Sequence, residues 1–430
     1  MTGTPWWRSA AIARAAEPGE AGRRHRPAAQ TRDFRYGMVS AQAAAFHDIF
    51  VRAMSVGAAS YASAESAAAT SFIMGGTFNP QPAPSYVAAI NNAFIQSNPL
   101  FAGYTPFGLY TPEGASLPFI SGMTMDQSIV LGQTILNNAI LAQPPGSQTL
   151  VVGFSQSATI ATLEMRALGA LPPGLRPSPA DLSFMLLGNP DNPSGGLFER
   201  FTFNIPFEGV STYGATPTDT PHPTTIYSAQ YDPIAHFPQY PINILADLNA
   251  IAGSAYVHPY YWHFTAEQVQ NAVPLATSPG YYDNGGVTHY YMLATPNLPL
   301  LDPVRGLPFV GKPLADLLQP DLTVLVNLGY NPNGYADVPT PAQLSPGVDP
   351  VNDLFKLLQP QLNDIGVYLP IHPDVPDPGF KPATISGQLL TGAQQGLTDA
   401  LVDIGVLPPS YYATTPPAVN SVAAVTAVAS

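Results

Sequence analysis

The 430-residue chain sets 15 Lys and Arg against 28 Asp and Glu, a formal net charge of −13, and contains no cysteine. That balance speaks against a nucleic-acid-binding body, and the missing thiols exclude a disulfide framework and a thiolate zinc site. Hydrophobic residues at 46% supply a sizeable core, charged residues are only 10%, and 49 prolines and 36 glycines imply many loops and turns.

Seven of the basic residues, Arg8 to Arg35, fall in the first 36 positions, so residues 1–37 read as a basic, unstructured leader. Residues 39–69 read as one alanine-rich helix. Phe46, Phe50, Met54, Gly57 and Tyr61 recur on it at three- to four-residue spacing and form an apolar stripe. No segment reaches the ~18 uninterrupted apolar residues of a membrane helix, so no transmembrane segment is expected.

From residue 71 the pattern changes. The runs SFIM (71–74), TLVV (149–152), LSFMLL (182–187) and TTIYSA (224–229) are continuously apolar or β-branched, as suits strands buried on both faces of a parallel sheet. Between them, residues 126–142 and 157–168 have helical periodicity. The alternation predicts an α/β fold, a mostly parallel sheet flanked by helices. Aromatic- and proline-rich residues 193–223 and 254–282 interrupt it and read as cap or lid segments. Beyond about residue 330 the chain becomes a proline-rich extension. Helical pieces break it near 350–358 and 386–404, and a flexible tail ends it.

The chemistry centres on Gly153-Phe154-Ser155-Gln156-Ser157, which lies between an apolar strand and an amphipathic helix. A tight strand-to-helix turn lifts its middle side chain above the sheet edge. This is the nucleophile elbow of α/β hydrolases, with serine in place of the last glycine. A helix N-cap serine is the plainer reading of the same residues. A serine nucleophile needs a base and a group to orient that base, in the order Ser, Asp, His for this fold class. Asp232 follows the strand at 224–229 and is the expected acid, although Asp-Pro is also a common turn former. His289, after the glycine-rich stretch in DNGGVTHYYM, is the expected base. His222, His236, His258, His263 and His372 compete with it. The N–H of Gln156 and the Gly75-Gly76-Thr77 turn are the expected oxyanion donors, each worth roughly 3 kcal/mol in the transition state. No P-loop, dinucleotide glycine fingerprint or clustered ligand set occurs, so neither a metal nor a cofactor is expected.

Four stretches in order, MGGTFNP (74–80), VVGFSQSA (151–158), YSAQYDP (227–233) and GGVTHYYM (285–292), resemble the cutinase-like PE-PPE domain of mycobacterial cell-envelope proteins. The resemblance runs over residues 71–330. It implies an α/β-hydrolase fold with Ser155, Asp232 and His289 as triad and Gln156 and Thr77 at the oxyanion positions. The activity it implies is that of an esterase or lipase on short- to medium-chain acyl esters, or of an acyltransferase acting toward trehalose-type glycolipids. The third alternative is a non-catalytic surface protein. Residues 38–70 resemble the second helix of a PE domain, and Tyr61 and Glu65 match the Y-x-x-x-D/E signal of type VII secretion. That likeness implies a secreted or cell-envelope protein, with a PPE partner or secretion chaperone docking on residues 40–69. Residues 1–37 do not look like the first helix with which such a helix pairs.

Overall fold

The computed structural model describes residues 69–412 apart from 117–121, 206–208, 348–349, 364–367, 370 and 372–377. The leader, residues 39–68 of the expected helix with Tyr61 and Glu65, His372, and the tail beyond residue 412 lie outside the described residues.

Strands β1 (Thr70–Ile73), β2 (Thr105–Gly108), β3 (Thr149–Phe154), β4 (Leu182–Leu187), β7 (Thr224–Ala229), β8 (Val273–Pro274) and β9 (Thr288–Leu293) form a seven-stranded sheet of order β2-β1-β3-β4-β7-β9-β8. All neighbours pair parallel except the edge pair β8–β9. A separate ribbon pairs β5 (Asn204–Ile205) with β6 (Val210–Ser211). The four predicted runs are all strands. β2, β8 and β9 are additions to the sheet, and β9 absorbs the stretch from which the catalytic histidine was expected to project.

The sheet is apolar on both sides. Phe72, Val151, Phe184, Leu186 and Ile226 face helices α2 (Met125–Leu141) and α3 (Gln156–Gly169) through Ile129, Leu136, Ile160 and Met165. The alternate residues Ile73, Leu150, Val152, Met185 and Leu187 meet Ile90 of α1 (Pro84–Ile90), Phe94 and Tyr261 on the other face. This is why these strands read as unbroken apolar runs. The layers and their strand-to-helix connections have the α/β-hydrolase architecture.

A third cluster lies beyond the strands' C-terminal ends. Tyr231, Leu298 and Leu301 pack there with Ala246 of α4 (Ile244–Tyr256) and with Ala315 and Val326 of α5 (Gly311–Asn327). The expected helical pieces of the extension are α6 (Pro350–Leu362) and α7 (Pro382–Asp403). The second of these packs on α5 at backbone range. A Cβ added at Gly392 would lie 2.3 Å from an Asp321 carboxylate oxygen, and one at Gly396 2.2 Å from the Leu317 carbonyl. Residues four apart on each helix thus face each other in antiparallel register. Gly396→Leu is expected to force the helices apart and lower unfolding free energy by about 1–3 kcal/mol, read by denaturant titration of the full chain.

Candidate active site

β3 runs straight into α3 through Ser155, whose φ of 55° and ψ of −119° are an uncommon conformation for a residue with a side chain. Strain of this kind costs of order 1–3 kcal/mol and persists only where the surroundings enforce it. Here they do. The Ser155 N–H donates to the Leu187 carbonyl (3.0 Å), so the β3–β4 ladder extends into the turn. A Cβ at Gly153 would come within 2.6 Å of the Ser157 carbonyl and 2.9 Å of the Ala158 backbone, so glycine is required two residues before the serine. The fifth position needs no glycine, because the Ser157 hydroxyl fastens the turn. It accepts from the Phe154 N–H (2.8 Å) and donates to the Phe154 carbonyl (3.1 Å).

The imidazole beside this serine belongs to His258. Its Nε2 lies 2.8 Å from Ser155 Oγ and its Nδ1 lies 2.9 and 3.0 Å from the two oxygens of Asp232. The ring stacks on Phe154 with centroids 5.1 Å apart. Gly188, at φ 54°, leaves room for it, since a Cβ there would sit 3.2 Å from the ring.

His289 is not at the site. It is the second residue of β9, opposite Thr225, exposed, and stacked on Tyr282. β9 is three strands from β3, roughly 14 Å at ordinary strand spacing. The start of a strand also lies at the sheet edge opposite the one carrying Ser155 and Asp232. The other described competitors serve different ends. His222 is fully buried against Phe184, and burial first, then the Arg176 charge, pushes its pKa down to about 4. His236 is buried and stacked on Tyr330, and burial followed by Arg200 pushes its pKa to about 3. Its Nδ1 therefore stays free to accept the Tyr231 N–H (3.2 Å). His263 packs on Trp262.

Asp232 follows β7 where the sequence places it and is fully buried. One oxygen accepts from the Ile234 N–H (2.8 Å) as well as from His258, so the turn-forming role and the role toward histidine coexist. The other oxygen accepts from the Tyr261 hydroxyl (2.8 Å), which in turn accepts from the Ala229 N–H (2.7 Å). Burial pushes this carboxyl up. The attraction of His258 and the hydrogen bonds from His258, Ile234 and Tyr261 outweigh it and hold the group below its ordinary value. Tyr261, absent from the sequence expectations, shares one 3₁₀ segment (His258–His263) with the histidine. The signal for both was the stretch after Asp232. An Asn243-capped apolar helix, α4, carries the chain away from the acid, and HPYYWH returns it.

The Gly75-Gly76-Thr77 turn lies against the elbow, and a Cβ on Gly76 would be 3.2 Å from Ser155 Cβ. The N–H of Gln156 opens α3, where first-turn donors have no partner within the helix. The Gln156 side chain is buried. Its Oε1 accepts from the Thr77 hydroxyl (2.9 Å), and its Nε2 donates to the Gly114 carbonyl (3.0 Å) and Ser128 Oγ (2.9 Å). The Thr77 hydroxyl is thus tied to Gln156. No group of three or more His, Cys, Asp or Glu among the described residues could hold a metal ion.

Residues 102–331 match the PE-PPE domain family and residues 29–68 the PE family. PE family protein PE3 of Mycobacterium tuberculosis (strain ATCC 25618 / H37Rv) is 44% identical over 402 residues, 87% of this chain and 77% of that protein. Esterase PE16 of the same strain is 44% identical over 335 residues, 73% of this chain and 62% of that protein. Among solved structures, a cutinase-like protein from Cryptococcus sp. aligns at a TM-score of 0.26 and 18% identity, over 39% of this chain and 79% of that one, too loose a likeness to bear on function. The chain belongs to the PE family, and β2, β3, β4, β7, β8 and β9, with Ser155, Asp232 and His258, fall within its PE-PPE domain.

Proposed function

We propose that this chain is a serine esterase that cleaves acyl esters through an acyl-enzyme on Ser155. The observation that carries the reading is the unbroken line Asp232–His258–Ser155, at 2.9 and 2.8 Å, on a strained strand-to-helix turn. Ser155 Oγ attacks the ester carbonyl while His258 Nε2 takes its proton. The tetrahedral intermediate collapses, the C–O bond to the leaving alcohol breaks, and His258 returns the proton to that oxygen. Water then repeats the sequence and releases the acid. Asp232 holds the imidazole in the tautomer with Nε2 free to accept. The N–H groups of Gln156 and Thr77 stand to receive the oxyanion. The name of the relative Esterase PE16 supports an ester as substrate. PE family membership supports a secreted or cell-surface location, with a PPE partner docking on residues 40–69.

Ser155→Ala and His258→Ala are each expected to lower kcat on p-nitrophenyl esters by about 10⁴-fold or more, whereas His289→Ala leaves it unchanged. Full turnover by Ser155→Ala, or loss in His289→Ala alone, would refute the assignment. Tyr261→Phe removes a donor to Asp232 and the acceptor of the Ala229 N–H, and should cost about 1–3 kcal/mol of stability in thermal or denaturant unfolding. Because the folded pKa of Asp232 is depressed below 3.8, the part of that deficit due to the ionised carboxylate is full above that value and shrinks as falling pH protonates Asp232. Replacing Tyr61 and Glu65 together with alanine is expected to leave the protein in the cells, with none in the culture filtrate by immunoblot.

A further inference from the structure

The turn that carries Thr77 is held by the main chain of Glu113, a residue whose carboxyl group the mechanism does not use. Phe78 has a φ of 66° although the residue is 61% exposed, so packing of its own side chain does not explain the conformation. Its N–H donates to the carbonyl of Glu113 (2.8 Å), which is itself at φ 47°. The next carbonyl, Gly114, accepts from Gln156 Nε2 (3.0 Å), and the Gly114 N–H donates to Ser128 Oγ (2.8 Å). One dipeptide, Glu113-Gly114, therefore holds both the loop of the first expected oxyanion donor and the side chain of the second. Two residues earlier, the Thr111 N–H donates to the Pro80 carbonyl (3.1 Å) and closes the far side of the turn.

The Glu113 side chain points into the protein and has no exposed surface. Its Oε1 accepts from the Thr111 hydroxyl (2.6 Å), and its Oε2 has no partner among the described residues. The titratable group facing it is Tyr86 on α1, whose pKa burial first and then Glu113 push up, so it stays neutral. Among the described residues no cation is paired with Glu113. A glutamine would fill the same space and accept the same hydrogen bond. What glutamate adds is the capacity to lose a proton.

We infer that Glu113 is a positioning residue for the oxyanion loop, holding the loop in place as the neutral acid and releasing it when it ionises. The inference rests on the esterase reading above. Burial pushes the Glu113 carboxyl up to about 8, against the pull of the Thr111 hydrogen bond, so the neutral acid persists far above the ordinary carboxylate range. The raised folded pKa fixes the sign. Its contribution to stability is complete below the ordinary value of 4.5 and is lost as pH rises through about 8.

The test is a pair of pH profiles, from about pH 6 to about pH 10, on the full-length wild type and Glu113→Gln. One profile is kcat/KM on a short-chain ester in a pH-stat. The other is the amide resonance of Phe78 in ¹⁵N-Phe-labelled protein. The wild type should lose about tenfold in kcat/KM per pH unit above about 8, and the Phe78 signal should move with the same midpoint. Glu113→Gln should hold at about pH 9 the kcat/KM that it has at neutral pH, with a stationary Phe78 signal. An alkaline fall of the same size in Glu113→Gln overturns the inference, as does a wild-type Phe78 signal that does not titrate. If Glu113→Gln fails to fold, the wild-type Phe78 midpoint decides alone. A folded wild type with no activity at any pH defeats the esterase reading instead, and the Phe78 titration still judges the clamp.

Discussion

A single carboxylate with no access to water, Asp232, sets the terms for everything around Ser155. An ionised group buried in this way survives only if hydrogen bonds and charge replace its lost hydration. The replacements come from the Ile234 N–H of its own turn and, on one short 3₁₀ segment, from the Tyr261 hydroxyl and the His258 imidazole. The position of His258 follows from that requirement before it follows from Ser155. The ring is drawn to Asp232 by one nitrogen and pressed on Phe154 by its face, and its other nitrogen then meets the serine hydroxyl. Phe154 and Ser155 are consecutive residues of the elbow, so the turn that exposes the hydroxyl also supplies the surface on which the imidazole rests.

The strands were legible because two-sided burial leaves an unmistakable mark. Every residue of β3 and β7 is buried, so no polar alternation dilutes the apolar run. Ser155 and Asp232 were legible for a related reason, as Ser155 directly follows such a run and Asp232 comes three residues after one, at the edge where parallel sheets place their sites. The histidine was not, because the rule of order admits any histidine after the acid. A geometric constraint was nonetheless available. The residues VTHYYML are β-branched, aromatic and apolar, which is the mark of a strand, and from Thr288 to Met292 they alternate buried and more accessible around His289. A histidine at the second position of a parallel strand stands at the wrong edge of the sheet. His258 carried no motif of its own, since what places it is α4 packing on the acid's loop. A Cβ on Gly253 of α4 would lie 2.3 Å from the Tyr231 carbonyl, and that closeness cannot be read from composition.

The same reasoning alters the standing of the proline-rich extension. Tyr231, immediately before Asp232, sits at φ 66°, and its N–H is taken by His236 and its hydroxyl by Asn327 on α5 (3.0 Å). His236 is stacked on Tyr330 with ring centroids 4.5 Å apart, and α5 is held on its far side by α7 through the Gly392 and Gly396 contact. Residues 340–343 thread back between the loops that follow β4 and β7. Thr340 donates to the Pro193 carbonyl, Ala342 to Arg200 and Gln343 to Gln239. The buried Arg200 guanidinium binds Thr340 and the Phe237 carbonyl together. Burial pulls the pKa of that guanidinium down to about 10, which still leaves it charged at neutral pH. The proline-rich composition beyond about residue 330 suggested an extension that follows the hydrolase domain. The contacts make it the outer wall of the loop that carries Asp232. A residue in left-handed backbone, next to a buried carboxylate, keeps its conformation only while its own N–H and hydroxyl are engaged. In this chain the N–H is engaged by His236 and the hydroxyl by α5, and the extension takes part by packing α7 on α5 and Tyr330 on His236.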